Sequence, residues 1–141
     1  MDLMQTTDQD AIQQTVRAFL EKELPMERVR KIAEGGVTAL APVWRGAGEL
    51  GFFGLGLAEN RGGAGYSIAE EMILFEELGR SLAPGPWLGS VLAAHALANA
   101  SGERDTWRTR ILAGEVAVAL LERSSSPAKA IGGRLSGEWK S

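Results

Sequence analysis

Ser67-Ile68-Ala69-Glu70-Glu71-Met72-Ile73-Leu74-Phe75-Glu76-Glu77-Leu78-Gly79-Arg80-Ser81-Leu82-Ala83-Pro84-Gly85-Pro86 sets the fold class of this 141-residue chain. Its first four residues have the form of a capping box, with a serine oxygen and a glutamate side chain satisfying the free N–H groups of a helix start. Ile68, Met72, Phe75, Leu78 and Leu82 then recur at helical spacing, with Glu70, Glu71, Glu76, Glu77 and Arg80 elsewhere. This pattern predicts an amphipathic helix with a solvated glutamate face. Ala83-Pro84-Gly85-Pro86 ends it, because proline disfavours helix in the residue before it, and Pro86 suits the first position of the next helix. That next helix, Trp87 to Ala100, is apolar almost all round, with Ser90, His95 and Asn99 its only polar side chains, so it is expected inside the fold. At about fourteen residues it is too short for a bilayer span, which needs about 20.

Upstream, Thr7-Asp8-Gln9-Asp10 predicts a helix start, and Ile12, Val16, Phe19 and Leu20 form its buried stripe until Leu24-Pro25. A shorter helix from Met26, with Val29, Ile32 and Ala33 on one side, stops at Gly35-Gly36. Pro42 suits the first turn of a third helix reaching Leu50. Residues 51–65, GFFGLGLAENRGGAG, hold six glycines and read as an ordered loop of tight turns. Downstream of Ser101-Gly102, a further helix carries Trp107, Ile111 and Leu112 on one face and Arg104, Arg108 and Arg110 on the other, closed by Gly114. Val116–Leu121 and Arg134–Trp139 read as strands, with a turn by composition at Glu122-Arg123-Ser124-Ser125-Ser126-Pro127. The expectation is a mainly α chain: a bundle of about six helices over residues 1–115, then the start of a β-domain over residues 116–141. Two strands do not make a stable sheet alone, so the β-domain reads as only begun.

Composition narrows the chemistry. With 45% hydrophobic and 23% charged residues the chain is an ordinary globular one, neither a disordered tail nor a disulfide scaffold. The absence of cysteine removes thiolate zinc sites, iron-sulfur clusters and cysteine nucleophiles, and a lone histidine, His95, argues against a histidine metal cluster. No metal is expected. Net charge is -3 and the basic residues are scattered, so no nucleic-acid footprint is present. No basic leader with an apolar core opens the chain and no apolar stretch suits membrane insertion, which predicts a cytoplasmic protein.

Four features have both a chemical and a structural reading. Gly46-Ala47-Gly48-Glu49-Leu50-Gly51 fits G-x-G-x-x-G, but Pro42-Val43-Trp44-Arg45 precedes it where a buried strand is required, so the match reads as chance. His95 is of the residue type that most often serves as a general base, yet no Ser-His-Asp set accompanies it, which favours a histidine bonded in the core or lining a cavity. The Glu70-Glu71 and Glu76-Glu77 pairs suit acid-base or metal chemistry in principle; their place opposite the apolar stripe reads as a solvated face. Gly62-Gly63-Ala64-Gly65 before a capped helix suits a phosphate cradle, and equally a tight loop needing positive φ. Trp44, Trp87, Trp107 and Trp139 all read as core.

Four segments then carry a family resemblance: Phe19-Leu20-Glu21-Lys22-Glu23-Leu24-Pro25, Glu49-Leu50-Gly51-Phe52-Phe53-Gly54-Leu55, Glu59-Asn60-Arg61-Gly62-Gly63-Ala64-Gly65 and Phe75 to Pro86. In order and spacing they resemble the N-terminal helical domain of the flavin-dependent acyl-CoA dehydrogenases, from about residue 8 to residue 121. The resemblance implies a helical domain first, a β-domain second and a second helical bundle last, with FAD and the acyl thioester between them. It implies loss of the α-proton to a glutamate of the last domain and of the β-hydrogen as hydride to flavin, giving a 2-enoyl-CoA. No residue of this chain takes the glutamate's role.

The first domain of the family supplies wall, which by resemblance puts Trp87, Leu88, Val91, Leu92 and His95 near the substrate tail. The family's Thr-Glu-Pro-Gly-x-Gly-Ser-type flavin and CoA segment corresponds here to Leu121-Glu122-Arg123-Ser124-Ser125-Ser126. Only Glu122 matches, with the hydroxyls of Ser124, Ser125 and Ser126 as substitutes, so the segment alone is not expected to hold FAD. The leading expectation is the N-terminal part of an acyl-CoA dehydrogenase-like oxidoreductase, inactive alone, in a homo- or hetero-oligomer that passes electrons to an electron-transfer flavoprotein. The alternatives are a non-catalytic dehydrogenase-like partner subunit and a helical interaction module.

Overall fold

A computed structural model describes residues 5–35, 37–120, 129–131 and 134–136. Among the described residues six α-helices appear where the sequence predicts them: α1 (Thr7–Glu23), α2 (Met26–Gly35), α3 (Ala41–Glu49), α4 (Ile68–Arg80), α5 (Trp87–Ala96) and α6 (Glu103–Leu112). The cap of α1 lies one residue earlier than expected: Thr6 accepts from the Gln9 N–H, and the Gln9 side chain returns to the Thr6 N–H. The Ser67–Glu70 box of α4 and Pro42 in the first turn of α3 stand as read, while Pro86 is the N-cap of α5 and not its first helical residue. Residues 51–65 form an ordered loop with single 3-10 turns at Phe52–Gly54 and Glu59–Arg61. The first two glycines of the G-x-G-x-x-G match, Gly46 and Gly48, lie inside α3, so that match has no dinucleotide-binding geometry.

The core is built around aromatic rings. Trp44, Phe53 and Trp87 meet pairwise with centroids 4.5–5.7 Å apart, and Phe19 meets Phe52 edge-on at 5.3 Å. Such pairs add about 0.5–1.5 kcal/mol beyond the area they bury. Val16, Leu20, Val43, Leu74 and Val91 close around them. Helix α4 packs chiefly on α1, and α5 on the Phe52–Gly54 turn and α6.

Several expectations need correction. Ala33 is exposed although α2 buries Ile32. Helix α5 stops at Ala96 rather than Ala100 and is not fully inside the fold, for Leu88 and Leu92 are exposed. On α6 the expected faces are partly exchanged: Trp107 is exposed with Arg110 over its ring, while Arg108 is buried. The Arg108 guanidinium donates to the Ala98 carbonyl just beyond α5 and pairs with Asp105, which makes burial of the cation tolerable.

Residues 116–120 are not a strand. The Val118 N–H donates to Ser90 Oγ at 2.9 Å, and the chain crosses α5 so closely at Gly89 that a side chain there would strike the backbone of Val118 and Leu120. A short apolar run can thus be buried by strapping a helix instead of joining a sheet. The only strands among the described residues are β1 (Lys129–Ile131) and β2 (Arg134–Ser136), an antiparallel pair with Ala130 opposite Leu135. The second lies within the expected Arg134–Trp139 strand; Leu121, the 122–127 turn with Ser124, Ser125 and Ser126, and Trp139 fall outside the described residues. No helix among the described residues is long and apolar enough to cross a membrane.

Candidate functional site

Helix α4 exchanges part of its expected faces: Leu78 is buried and Glu76 and Arg80 are exposed as read, but other positions are not. Ile68 and Met72 are 71% and 65% exposed, whereas Glu70, Glu71 and Glu77 are buried beside Ile73, Leu74 and Leu78. Buried carboxylates persist only when bonded, and each of the three is. Glu77 takes two donors from Arg17, whose guanidinium holds its carboxyl below the usual carboxylate range. Glu70 accepts from the Ser67 hydroxyl and N–H and from Gln9, and these bonds, the Ser67 hydroxyl first, bring it down to about 2. Neither partner helix face was legible from α4 alone. The readable signal was a second apolar pair, Ile73 and Leu74, outside the expected stripe, which makes α4 apolar on two sides.

Glu71 faces α5. Its Oε1 lies 2.6 Å from His95 Nε2 and also accepts from the Gly56 N–H at 3.0 Å. Because an ionised carboxylate only accepts, Nε2 carries the shared proton and donates. Gly56 has no room for a Cβ, which would press on the Glu71 carboxyl, so the glycine loop can close onto this bond only without a side chain. The pair joins α4, α5 and the 51–65 loop through one carboxylate. It confirms His95 as a bonded histidine, and the imidazole is still 37% exposed.

Exposed leucines lie on the same face of α5 as His95. Leu92 and Leu88 precede His95 by three and seven residues and share its face of α5; Ile68 precedes Glu71 by three on α4. Leu82, which follows α4, is 65% exposed and has φ 49°, a left-handed conformation that leucine adopts at a cost of about 1 kcal/mol or more. Five large exposed apolar side chains, Ile68, Met72, Leu82, Leu88 and Leu92, therefore belong to the α4–α5 hairpin. Of the five residues expected near a substrate, Trp87 and Val91 point into the core at 4% and 2% exposure, Leu88 and Leu92 are exposed, and His95 is half-buried with its ring turned to Glu71. A separate cavity of about 210 Å³, between Leu40, Trp44, Arg45, Pro86 and Ala117, is lined by none of the five.

The glycine segment 62–65 is a folded turn and not a phosphate cradle. The N–H groups of residues 62 to 66 all donate to carbonyls of residues 54 to 59, and Gly62 and Gly65 adopt positive φ. A nest needs free N–H groups converging on an anion, and here they are engaged.

The profile of the acyl-CoA dehydrogenase N-terminal domain matches residues 6–115. The chain belongs to the acyl-CoA dehydrogenase family. Among curated members, the acyl-CoA dehydrogenase IpdE2 of Mycolicibacterium smegmatis is 36% identical over 91 residues, covering 64% of this chain and 29% of its own length. Acyl-CoA dehydrogenase FadE34 of Mycobacterium tuberculosis is 37% identical over 78 residues, covering 50% of this chain and 11% of its own length. This acyl-CoA dehydrogenase-family chain thus spans less than a third of the relatives it matches. Its fold matches a chain of the ChsE4-ChsE5 complex from Mycobacterium tuberculosis with a TM-score of 0.69 and 24% identity, over 82% of this chain and 30% of that one.

Proposed function

We propose that residues 1–115 form the N-terminal helical domain of an FAD-dependent acyl-CoA dehydrogenase and that residues 116–141 begin its β-domain. The observation that carries the reading is the exposed apolar surface of Ile68, Met72, Leu82, Leu88 and Leu92 on a helical unit whose other side is filled by its own core. Large exposed apolar side chains gathered on one helical hairpin mark a contact or binding face, and a strained, exposed leucine at residue 82 fits one retained for contact rather than stability. On this reading Leu88, Leu92 and His95 wall the acyl pocket directly, Trp87 and Val91 back them, and the remaining apolar surface meets the rest of the enzyme or another subunit.

The 62–66 turn does not fit the pyrophosphate of FAD, because its N–H groups are engaged internally and offer no donors. The flavin is held by other segments, with Ser124, Ser125 and Ser126 the sole contribution proposed from this chain. The chemistry is α,β-dehydrogenation of an acyl-CoA thioester in the cytoplasm, with electrons passed to an electron-transfer flavoprotein. A second reading, a non-catalytic subunit of a hetero-oligomer, is favoured by the two-component ChsE4-ChsE5 neighbour.

Purification of the complete protein, followed by its flavin spectrum and acyl-CoA oxidation, tests both. Bound flavin with 2-enoyl-CoA formation supports the first reading, and colourless protein that gains activity only with a second subunit supports the other. Flavin binding and thioester oxidation by residues 1–141 alone would overturn the proposed division of labour.

A further inference from the structure

The outward side of α5 places one polar ring among leucines. Leu88 and Leu92 are 51% and 44% exposed and share a helix face with His95. The ring is fixed, because Nε2 is bonded to Glu71, a carboxylate 3% exposed and itself anchored by the Gly56 N–H. His95 Nδ1 has no partner among the described residues and is not one of the buried unpaired atoms, so it is the polar atom this face offers. A fixed polar group in an apolar wall is the usual means by which a pocket selects orientation and substrate.

A ligand that covers Leu88 and Leu92 strips water from Nδ1 as well. If that ligand is a plain hydrocarbon, Nδ1 loses its hydrogen bond without replacement. A hydroxyl replaces it in either state of the ring, since it donates to the lone pair of neutral imidazole and accepts from the Nδ1–H of the cation. A ketone oxygen serves only the cation. We propose that His95 recognises a hydroxyl group on the acyl tail, so that the preferred thioesters are hydroxylated acyl-CoAs; this rests on the pocket-wall role of α5 proposed above. Glu71 is then a positioning residue that sets the ring, and His95 a specificity residue.

The test uses the complete flavin-loaded enzyme with any partner subunit. Acyl-CoA thioesters of one carbon skeleton, unsubstituted or hydroxylated at successive tail carbons, are compared for kcat/KM, and their non-oxidisable thioether analogues for Kd. The expected result is one hydroxyl position favoured roughly tenfold or more in both quantities. His95→Leu removes that preference and His95→Asn, which keeps a polar tip, retains part of it. Equal treatment of hydroxylated and plain thioesters by the wild type, or an undiminished preference in His95→Leu, overturns the hydroxyl assignment while leaving the pocket-wall reading intact. If His95→Leu does not fold, the wild-type series and His95→Asn decide the matter. Failure to bind or oxidise any thioester overturns the pocket-wall reading and this inference with it.

Discussion

Arg17 grips Glu77 with two donors, Nε to Oε2 at 3.0 Å and Nη2 to Oε1 at 2.7 Å, and so fastens α1 to α4 across sixty positions of sequence. The carboxylate is buried at 1% exposure while the guanidinium is 43% exposed, so the two partners are not equivalent. Arg17→Met leaves a charge in the core without its partner and is expected to lower Tm by roughly 5 °C or more. Glu77→Leu removes the charge and keeps apolar volume, so its loss is smaller. The double variant recovers most of the Arg17→Met deficit, and thermal unfolding of all four proteins reads the coupling; additive shifts would show that the pair is not one unit.

Acid stability follows from the same helix. Glu70 is held at about 2 against an ordinary 4.5, and Glu77 is also depressed, by Arg17. A depressed carboxylate binds its proton more readily in the unfolded chain, so its contribution is complete above about 4.5 and is lost as pH falls towards 2. Denaturant midpoints are expected to hold steady from pH 7 to about 5 and to decline below it. Ser67→Ala, which removes the principal bond to Glu70, flattens that decline; an unchanged acid slope would exclude Glu70 as a source.

Leu82 gives a stability prediction of opposite sign. At φ 49° it occupies a conformation natural to glycine, and its side chain is largely exposed. Leu82→Gly is expected to stabilise the isolated chain by about 1 kcal/mol in denaturant unfolding. The same change weakens association or substrate binding in the complete protein if the leucine is kept for contact. Destabilisation of the isolated chain would show that Leu82 packs usefully where it stands.

Leu92→Trp in the complete enzyme enlarges a side chain on the proposed wall. It is expected to narrow the pocket and lower kcat/KM for long acyl chains relative to short ones, by roughly tenfold for a shift of about 1.4 kcal/mol. An unaltered chain-length profile removes Leu92 from the lining.

Helix starts and stops were the legible part of this fold. Ser67 with Glu70, Pro42, Pro86 and Gly35 are local signals whose physics acts within one turn, and they bound α4, α3, α5 and α2. The faces of α4 were not legible, because burying Glu77 depends on Arg17 and burying Glu71 on His95 and Gly56, partners that no local spacing reveals. Trp107 and Arg108 exchanged expected places for a similar reason: the Ala98 carbonyl and Asp105 give the arginine somewhere to be buried. Residues 116–120 have the composition of a strand, but Ser90 and the bare backbone at Gly89 draw them onto α5. At the site, Leu88, Leu92 and His95 were named from resemblance, and their outward face became visible only when Trp87 and Val91 took up the inward one.

The Trp44–Trp87 contact supplies a spectroscopic handle. With ring centroids 4.5 Å apart and planes inclined at 43°, the two indoles are close enough for their excited states to couple. Far-ultraviolet circular dichroism, where the intense indole transition lies, should therefore carry an exciton signal that vanishes when α3 and α5 separate, allowing folding of this unit to be followed without any attached dye.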